Sequence, residues 1–259
     1  MLRPRITPCL LISDKAVVKT VGFSSPKYVG DPINAVKIFN EKQVDELMVL
    51  DIDATVCGQA PDYRLIENLA AESRMPLCYG GGIKSAEQAK TIIGLGVEKV
   101  AISSAAIENI GLISRVSEQV GSQSVVIVLD VKHKRGGSYE VWTHNAKVNT
   151  GRAPAELASE LQNFGVGEFV VYSIDNDGFM KGYDLLLIEQ MRDAICLPMT
   201  VIGGAGSLMD IGELIRRFGI IGAGVGSLFV FKGIYKAVLI NYPSSEEKDR
   251  LIREYLPAS

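Results

Sequence analysis

Short apolar runs rich in Val, Ile and Leu alternate along the chain with longer amphipathic stretches. The runs predict strands over 6–11, 46–52, 76–80, 99–103, 124–130, 168–174, 199–204 and 220–226. Because they are continuously apolar rather than alternating, they read as parallel strands buried on both faces. Helical periodicity fills the gaps, at 32–43, 63–74, 85–95, 109–120, 153–164, 184–195, 207–218 and 230–240. Ser85 with Gln88 and Ser207 with Asp210 have the spacing of helix caps. Eight strand-then-helix units fit either a closed barrel or an open doubly wound sheet.

An internal repeat favours the barrel. Displaced by 122 residues, LDID at 50–53 meets YSID at 172–175, GGIKS at 81–85 meets GGAGS at 203–207, and ISSA at 102–105 meets GVGS at 224–227. Each match falls at the C-terminal end of a strand, so two half-barrels, about 1–120 and 121–259, are expected to close into a single (β/α)8 barrel domain. Residues 131–152 interrupt the rhythm: Gly136-Gly137 and the alternating SYEVWTH predict a β-hairpin. Residues 20–31 are expected to be a second long loop, a mobile one.

Composition adds exclusions. A length of 259 residues suits one barrel. A net charge of −3 with no Lys/Arg block argues against nucleic acid, while small anions remain possible ligands. The four cysteines lack CxxC spacing. Cys9, Cys78 and Cys196 lie in or beside apolar runs, as reduced core thiols of a cytoplasmic protein would. The first apolar run is too short for a signal or a membrane span. Neither His133 nor His144 has a partner at metal-ligand spacing, so no metal or cofactor is expected.

The chemistry gathers at the strand ends. Gly80-Gly81-Gly82 and Gly203-Gly204-Ala205-Gly206 each follow a strand and precede a helix, where backbone N–H groups can approach a phosphate. Ser103 and Ser104 in one half, and Gly226 and Ser227 in the other, supply further donors. Two such turns in twofold register suggest a ligand with two phosphates, although each alone could be only a tight turn. Asp130 is the candidate acid or base, with Asp51 and Asp177 as further candidates and Asp53 and Asp175 weaker ones. Lys19 and Lys132 could hold phosphate or simply be solvated. Trp142 could cover a ligand ring or anchor its hairpin.

In this order, RITPCL, VVK, GDP, DELMVLDI, GGGI, GSQ, WTH with a later TG, SIDNDG, GYD and GGAGS resemble the cyclase subunit of imidazole glycerol phosphate synthase over nearly the whole chain. The resemblance implies a barrel that joins ammonia to a bis-phosphorylated ribonucleotide and cleaves it to imidazole glycerol phosphate and an aminoimidazole carboxamide ribotide. It implies a glutaminase subunit on the N-terminal face and ammonia passing through the core. It assigns an ammonia gate to Arg5, Glu46, Lys99 and Glu168. The substrate- and phosphate-binding candidates read from the strand ends and glycine turns are Lys19, Asp51, Gly81, Gly82, Ser103, Ser104, Asp177, Gly203, Gly204, Gly226 and Ser227.

Two departures stand out. The family pairs Asp130 with an aspartate ending the first strand, where this chain has Leu11; the nearest acid is Asp14, in the following loop. Ser103 stands where the family usually has asparagine. Leu11 cannot move a proton, and losing a general acid or base typically costs about 10²–10⁴ in rate. PCLL and PKYVGDPINAVKIFNEKQVDEL resemble a branch whose members work with a glutaminase and a third, amidotransferase protein to convert an acetamido group on a sugar to an acetamidino group. The expectation is that role, for a bacterial surface-polysaccharide sugar. The alternatives are true cyclase activity in histidine biosynthesis, with Asp14 or a water replacing the missing aspartate, and a non-catalytic activator of the glutaminase.

Overall fold

In the computed structural model, which describes residues 3–134 and 136–256, eight parallel strands close into a (β/α)8 barrel. They are β1 (Arg5–Ser13), β2 (Leu47–Asp51), β3 (Leu77–Gly80), β4 (Lys99–Ile102), β5 (Val125–His133), β6 (Glu168–Ser173), β7 (Met199–Ile202) and β8 (Gly222–Val225). β8 pairs with β1 from Arg5↔Gly222, and β5 pairs with β6 from Glu168↔Val126, so no barrel strand is left as an edge. The alternative of an open doubly wound sheet is thereby excluded.

Strand parity sorts the apolar residues into two sets. Val125, Ile127 and Leu129 of β5 face outward and pack in the large core shared with the helices. Val126 and Val128 face the interior, with Cys9, Leu11, Met48, Cys78, Val170 and Ile202. The same parity turns Asp130 inward, at the end of the barrel where the strands finish.

The helices are α1 (Pro32–Glu41), α2 (Tyr63–Glu72), α3 (Ala86–Gly94), α4 (Gly111–Val120), α5 (Pro154–Leu161), α6 (Leu185–Ala194), α7 (Leu208–Phe218) and α8 (Ser245–Tyr255). Reciprocal capping boxes start α3 at Ser85 and Gln88 and α7 at Ser207 and Asp210, as their spacing predicts. The two cap residues also share a backbone conformation, φ −144° and ψ 161° at Ser85 against φ −152° and ψ 166° at Ser207. The third repeat match needs correction by one residue. Ser103 (φ −116°, ψ −93°) corresponds to Gly226 (φ −100°, ψ −92°), a displacement of 123 rather than 122, because each begins the single helical turn after its strand.

Three other expectations are revised. The helix expected over 230–240 is instead one turn, Ser227–Val230, followed by a small hairpin of Phe231–Lys232 and Ala237–Val238; Gly233 (φ 72°) and Lys236 (φ 49°) reverse the chain there. The eighth helix is α8, begun by a capping box of Ser244 and Glu247 and anchored through Leu251 and Ile252. Residues 20–31 are not a free loop. They belong to a β-hairpin, Ala16–Val21 and Ser24–Gly30, whose first strand pairs with β1. Of the cysteines, Cys9 and Cys78 are buried, but Cys196 is exposed because it lies beyond α6, where the chain turns toward β7. The predicted excursion after β5 is a hairpin with strands Tyr139–Thr143 and Val148–Asn149. No helix among the described residues is long and apolar enough to cross a membrane.

Candidate functional site

The two ends of the barrel carry different chemistry. At the end where strands begin, Arg5, Lys99 and Glu168 are first residues of their strands, and Glu46 immediately precedes β2. Their side chains meet in a closed ring. Arg5 contacts Glu46 at 2.8 Å and Glu168 at 2.5 Å, while Lys99 contacts Glu46 at 2.7 Å and Glu168 at 2.9 Å. Thr200 also donates to Glu168, at 2.6 Å. Burial pushes the Glu168 carboxyl upward, but Arg5 and Lys99 outweigh it and hold the group below the usual carboxylate range. Burial likewise works against the Lys99 ammonium, which the two glutamates hold above its ordinary value. Such buried rings seldom add stability over apolar packing, so a ring closing one barrel end invites a functional explanation. Just inside it, the Thr7 hydroxyl is buried without a partner.

At the other end lies a solvent-open cavity, about 720 Å³ with the open space at its mouth included. Asp130 and Leu11 both line it, with Asp51, Gly81, Gly82, Ser103 and Ser104. Burial, and then the nearby Asp177 charge, push the Asp130 carboxyl up to about 7. A carboxyl balanced there can either give or take a proton near neutral pH. Leu11 is 2% exposed and packed, and contributes only shape. Asp14 sits at the exposed turn between β1 and the hairpin and does not line the cavity. Asp51 both lines the cavity and caps a turn, one oxygen accepting from the Asp53 and Ala54 amides at 3.0 Å each. Burial raises its pKa; those two bonds partly oppose the rise.

The remaining candidates lie elsewhere. Asp177 is buried and accepts from the Thr20 hydroxyl (2.6 Å), the Phe23 amide (3.2 Å) and the Tyr172 hydroxyl (2.9 Å). It therefore clamps the hairpin over the pocket, and the Phe23 ring meets Tyr172 edge-on at 4.6 Å. The Lys19 ammonium is buried, donates to the Cys9 carbonyl and lies beneath Gly226; burial lowers its pKa. Gly203, Gly204, Gly226 and Ser227 form the second-half turn, but they do not line the cavity. The segment through Gly182 packs on Gly204, whose carbonyl accepts from the Gly182 amide at 2.9 Å. At both turns glycine is required by backbone alone: Gly81 and Gly204 have φ of 129° and 110°. Asp53 and Asp175 are structural partners, accepting from Ser13 at 2.8 Å and from the His133 amide at 2.6 Å. Lys132 lies over the Trp142 ring, 5.1 Å from its centroid.

Sequence reasoning missed Phe23, Tyr172, Thr20, Thr55 and Asn145, all of which line the cavity. The β-branched residues of VVKTV, before Gly22, were the available sign of the hairpin that brings in Thr20 and Phe23.

A family model described as histidine biosynthesis protein matches residues 5–236. Among curated relatives, a Leptospira interrogans protein provisionally named imidazole glycerol phosphate synthase subunit HisF is 54% identical over 252 residues, covering 97% of this chain and 99% of its own length. A Pseudomonas aeruginosa protein, provisionally named as the subunit hisF2 of that synthase, is 48% identical, covering 96% and 99%. The Lactococcus lactis imidazole glycerol phosphate synthase subunit HisF, named without qualification, is 37% identical, covering 100% and 97%.

Proposed function

The chain belongs to the imidazole glycerol phosphate synthase cyclase-subunit family, and we propose that within it this barrel receives ammonia from a glutaminase docked at the ring end. The ammonia serves amidine formation on a sugar of a bacterial surface polysaccharide, with a third, amidotransferase protein at the barrel mouth. The observation that carries this reading is the pairing of a complete charged ring at one end with Leu11 in the pocket at the other. Between them the interior is packed with Cys9, Met48, Cys78, Val126, Val170 and Ile202, an apolar core that would admit neutral ammonia more readily than ammonium. Leu11 stands where the family pairs Asp130 with a second aspartate, and the other carboxylate lining the pocket, Asp51, is engaged by the Asp53 and Ala54 amides.

Two further observations support the reading. Identity is 48–54% to relatives named provisionally and 37% to one named without qualification. At the mouth, Tyr28, Ile234, Tyr235, Val238 and Leu239 are exposed, and Lys27 ties the two hairpins that carry them by donating to the Lys236 carbonyl at 3.1 Å. Exposed apolar clusters of this kind suit protein contact.

The test uses the chain alone with the bis-phosphorylated ribonucleotide and excess ammonium near pH 8.5, following substrate loss chromatographically. The reading expects no turnover from the natural chain and measurable turnover from Leu11→Asp. Robust turnover by the natural chain would transfer the assignment to the histidine-pathway reaction. With a glutaminase partner present, Lys99→Ala is expected to uncouple glutamine hydrolysis from amidine formation; unchanged coupling would remove the ring from the ammonia route.

A further inference from the structure

The most exposed large apolar side chains among the described residues stand on a feature that the packing of the barrel does not use. Ile234 and Tyr235 are 88% and 89% exposed, at the tip of the small hairpin of Phe231–Lys232 and Ala237–Val238. The tip is closed by the Lys236 amide, which donates to the Gly233 carbonyl at 3.0 Å. Behind it the ribbon is fixed to the body of the protein. The Leu239 amide donates to the Val230 carbonyl and the Asn241 amide to the Phe229 carbonyl, each at 2.9 Å, and Phe229 and Val230 are themselves buried. An apolar tip on a fixed base, with Val238 and Leu239 also exposed on the same ribbon, is the form of a contact surface rather than of a frayed end.

This ribbon stands beside the pocket mouth. Lys27 joins it to the hairpin of Ala16–Val21 and Ser24–Gly30, its ammonium donating to the Lys236 carbonyl at 3.1 Å and lying 4.8 Å from the centre of the Phe231 ring. That second hairpin reaches from the ribbon to the cavity, because its Thr20 and Phe23 line the space beside Asp130. Whatever binds the tip therefore sits at the rim of the pocket.

Charge selects the occupant. No Asp or Glu occurs from Lys15 to Gly30 or from Leu214 to Ser245; Asp14 and Asp31 only bound the first of these stretches. Lys27, Lys232 and Lys236 are exposed, so the ribbon and its neighbour are locally positive on a chain whose net charge is −3. Pairing of two copies about a twofold axis would set lysines against lysines around the apolar centre, with no carboxylate between them. An anionic bilayer would answer the charge, at about 1 kcal/mol per lysine. Yet Ile234 and Tyr235 offer less apolar chain to insert than one myristoyl group, which is itself only a marginal anchor. A protein face with an apolar centre and a rim of Asp and Glu matches both parts at once.

We propose that this positively charged apolar ribbon docks the protein that consumes the ammonia, through an apolar, acid-rimmed face on that protein. The proposal rests on the reading of the barrel as an ammonia receiver, and it names the surface of this chain and the chemistry of the partner that meet.

The test uses the full chain with its glutaminase, and as probe the purified sugar amidotransferase that completes amidine formation with them. Biolayer interferometry measures its affinity. The paired change Ile234→Ser with Tyr235→Ser is expected to weaken binding by about tenfold or more. Lys232→Glu with Lys236→Glu is expected to weaken it severalfold at 50 mM NaCl, and to flatten the fall in affinity that the natural chain shows between 50 and 300 mM. Leu186→Ser, at a position 65% exposed on α6, is the control and should bind as the natural chain does. All these positions are exposed, so melting temperatures should match that of the natural chain. No binding by the natural chain, unchanged affinity in both paired variants, or an equal loss in Leu186→Ser overturns the proposal. Two further results would also overturn it by giving the tip to another occupant. One is co-sedimentation with vesicles of phosphatidylcholine and phosphatidylglycerol that the Ile234 and Tyr235 changes abolish; the other is a dimer that they dissociate. Binding is read without ammonia, so its failure would leave the ammonia-receiver reading standing. Intact coupling in Lys99→Ala would remove that reading and leave the measured affinities as they are.

Discussion

Asp130→Asn gives the sharpest physical test of the pocket, because it separates burial of a carboxyl from burial of its charge. In the folded protein the carboxyl is pushed up to about 7, against an ordinary value of 3.8. Between these values the folded state holds a proton that the unfolded chain has released. Stability is therefore lost as pH rises through that window, and the loss is complete above the folded value. From pH 5 to pH 8.5 the carboxyl crosses about two pH units of the window, at about 1.36 kcal/mol each, or about 3 kcal/mol. Asparagine keeps the shape and has no charge to bury. The melting temperature of Asp130→Asn relative to the natural chain should therefore rise between those pH values, by roughly 5–10 °C for a barrel of this size. Differential scanning calorimetry at the two pH values, with buffers of matched ionic strength, would show it. A difference between the two proteins that does not change with pH would refute the claim that burial dominates at Asp130, and with it the case for a proton-transfer group poised near neutrality.

Other perturbations probe the remaining parts. Asp177→Ala removes the acceptor for Thr20, Phe23 and Tyr172, so hydrogen exchange should accelerate across 16–30 while the hairpin at 139–149 is unaffected; uniform exchange would mean the hairpin is held by other contacts. The same change leaves the buried Tyr172 hydroxyl unpaired and should cost about 1–3 kcal/mol in urea unfolding. Gly204→Ala places a Cβ against the Gly182 carbonyl at a φ of 110°, and should destabilise the chain by more than about 2 kcal/mol. Gly137→Ala, with an open surrounding and a φ of 86°, should cost about 1 kcal/mol, so equal losses would show that packing against 182 adds nothing.

Much of this molecule is readable along the chain because its architecture repeats local rules. A buried parallel strand needs a continuous apolar run, and β5 as VVIVLDV shows the run, its parity and the acid at its end without reference to any other residue. The capping boxes at Ser85 and Ser207 are similarly local, each closed within four residues. The charged ring was also legible, though only through resemblance: each member is a residue at the start of a strand, and closure of the barrel brings the four within 2.9 Å of their partners. What depended on tertiary structure was every feature made by groups distant in sequence. Asp177 clamps a hairpin 154 residues earlier at Phe23, which turned an expected loop into a cover for the pocket. The second glycine turn matches the first in local pattern, and each packs against the backbone of another loop, Gln59 on Gly82 and Gly182 on Gly204, yet only the first lines the cavity beside Asp130. A shared local sequence pattern thus leaves open which turn faces the cavity, because that depends on the loops packed around it. A solvent-open hollow beside the pocket is the same case: Lys84, Glu108 and His144 lie on three separate segments, and only closure of the barrel and the placement of its hairpin bring them around one space.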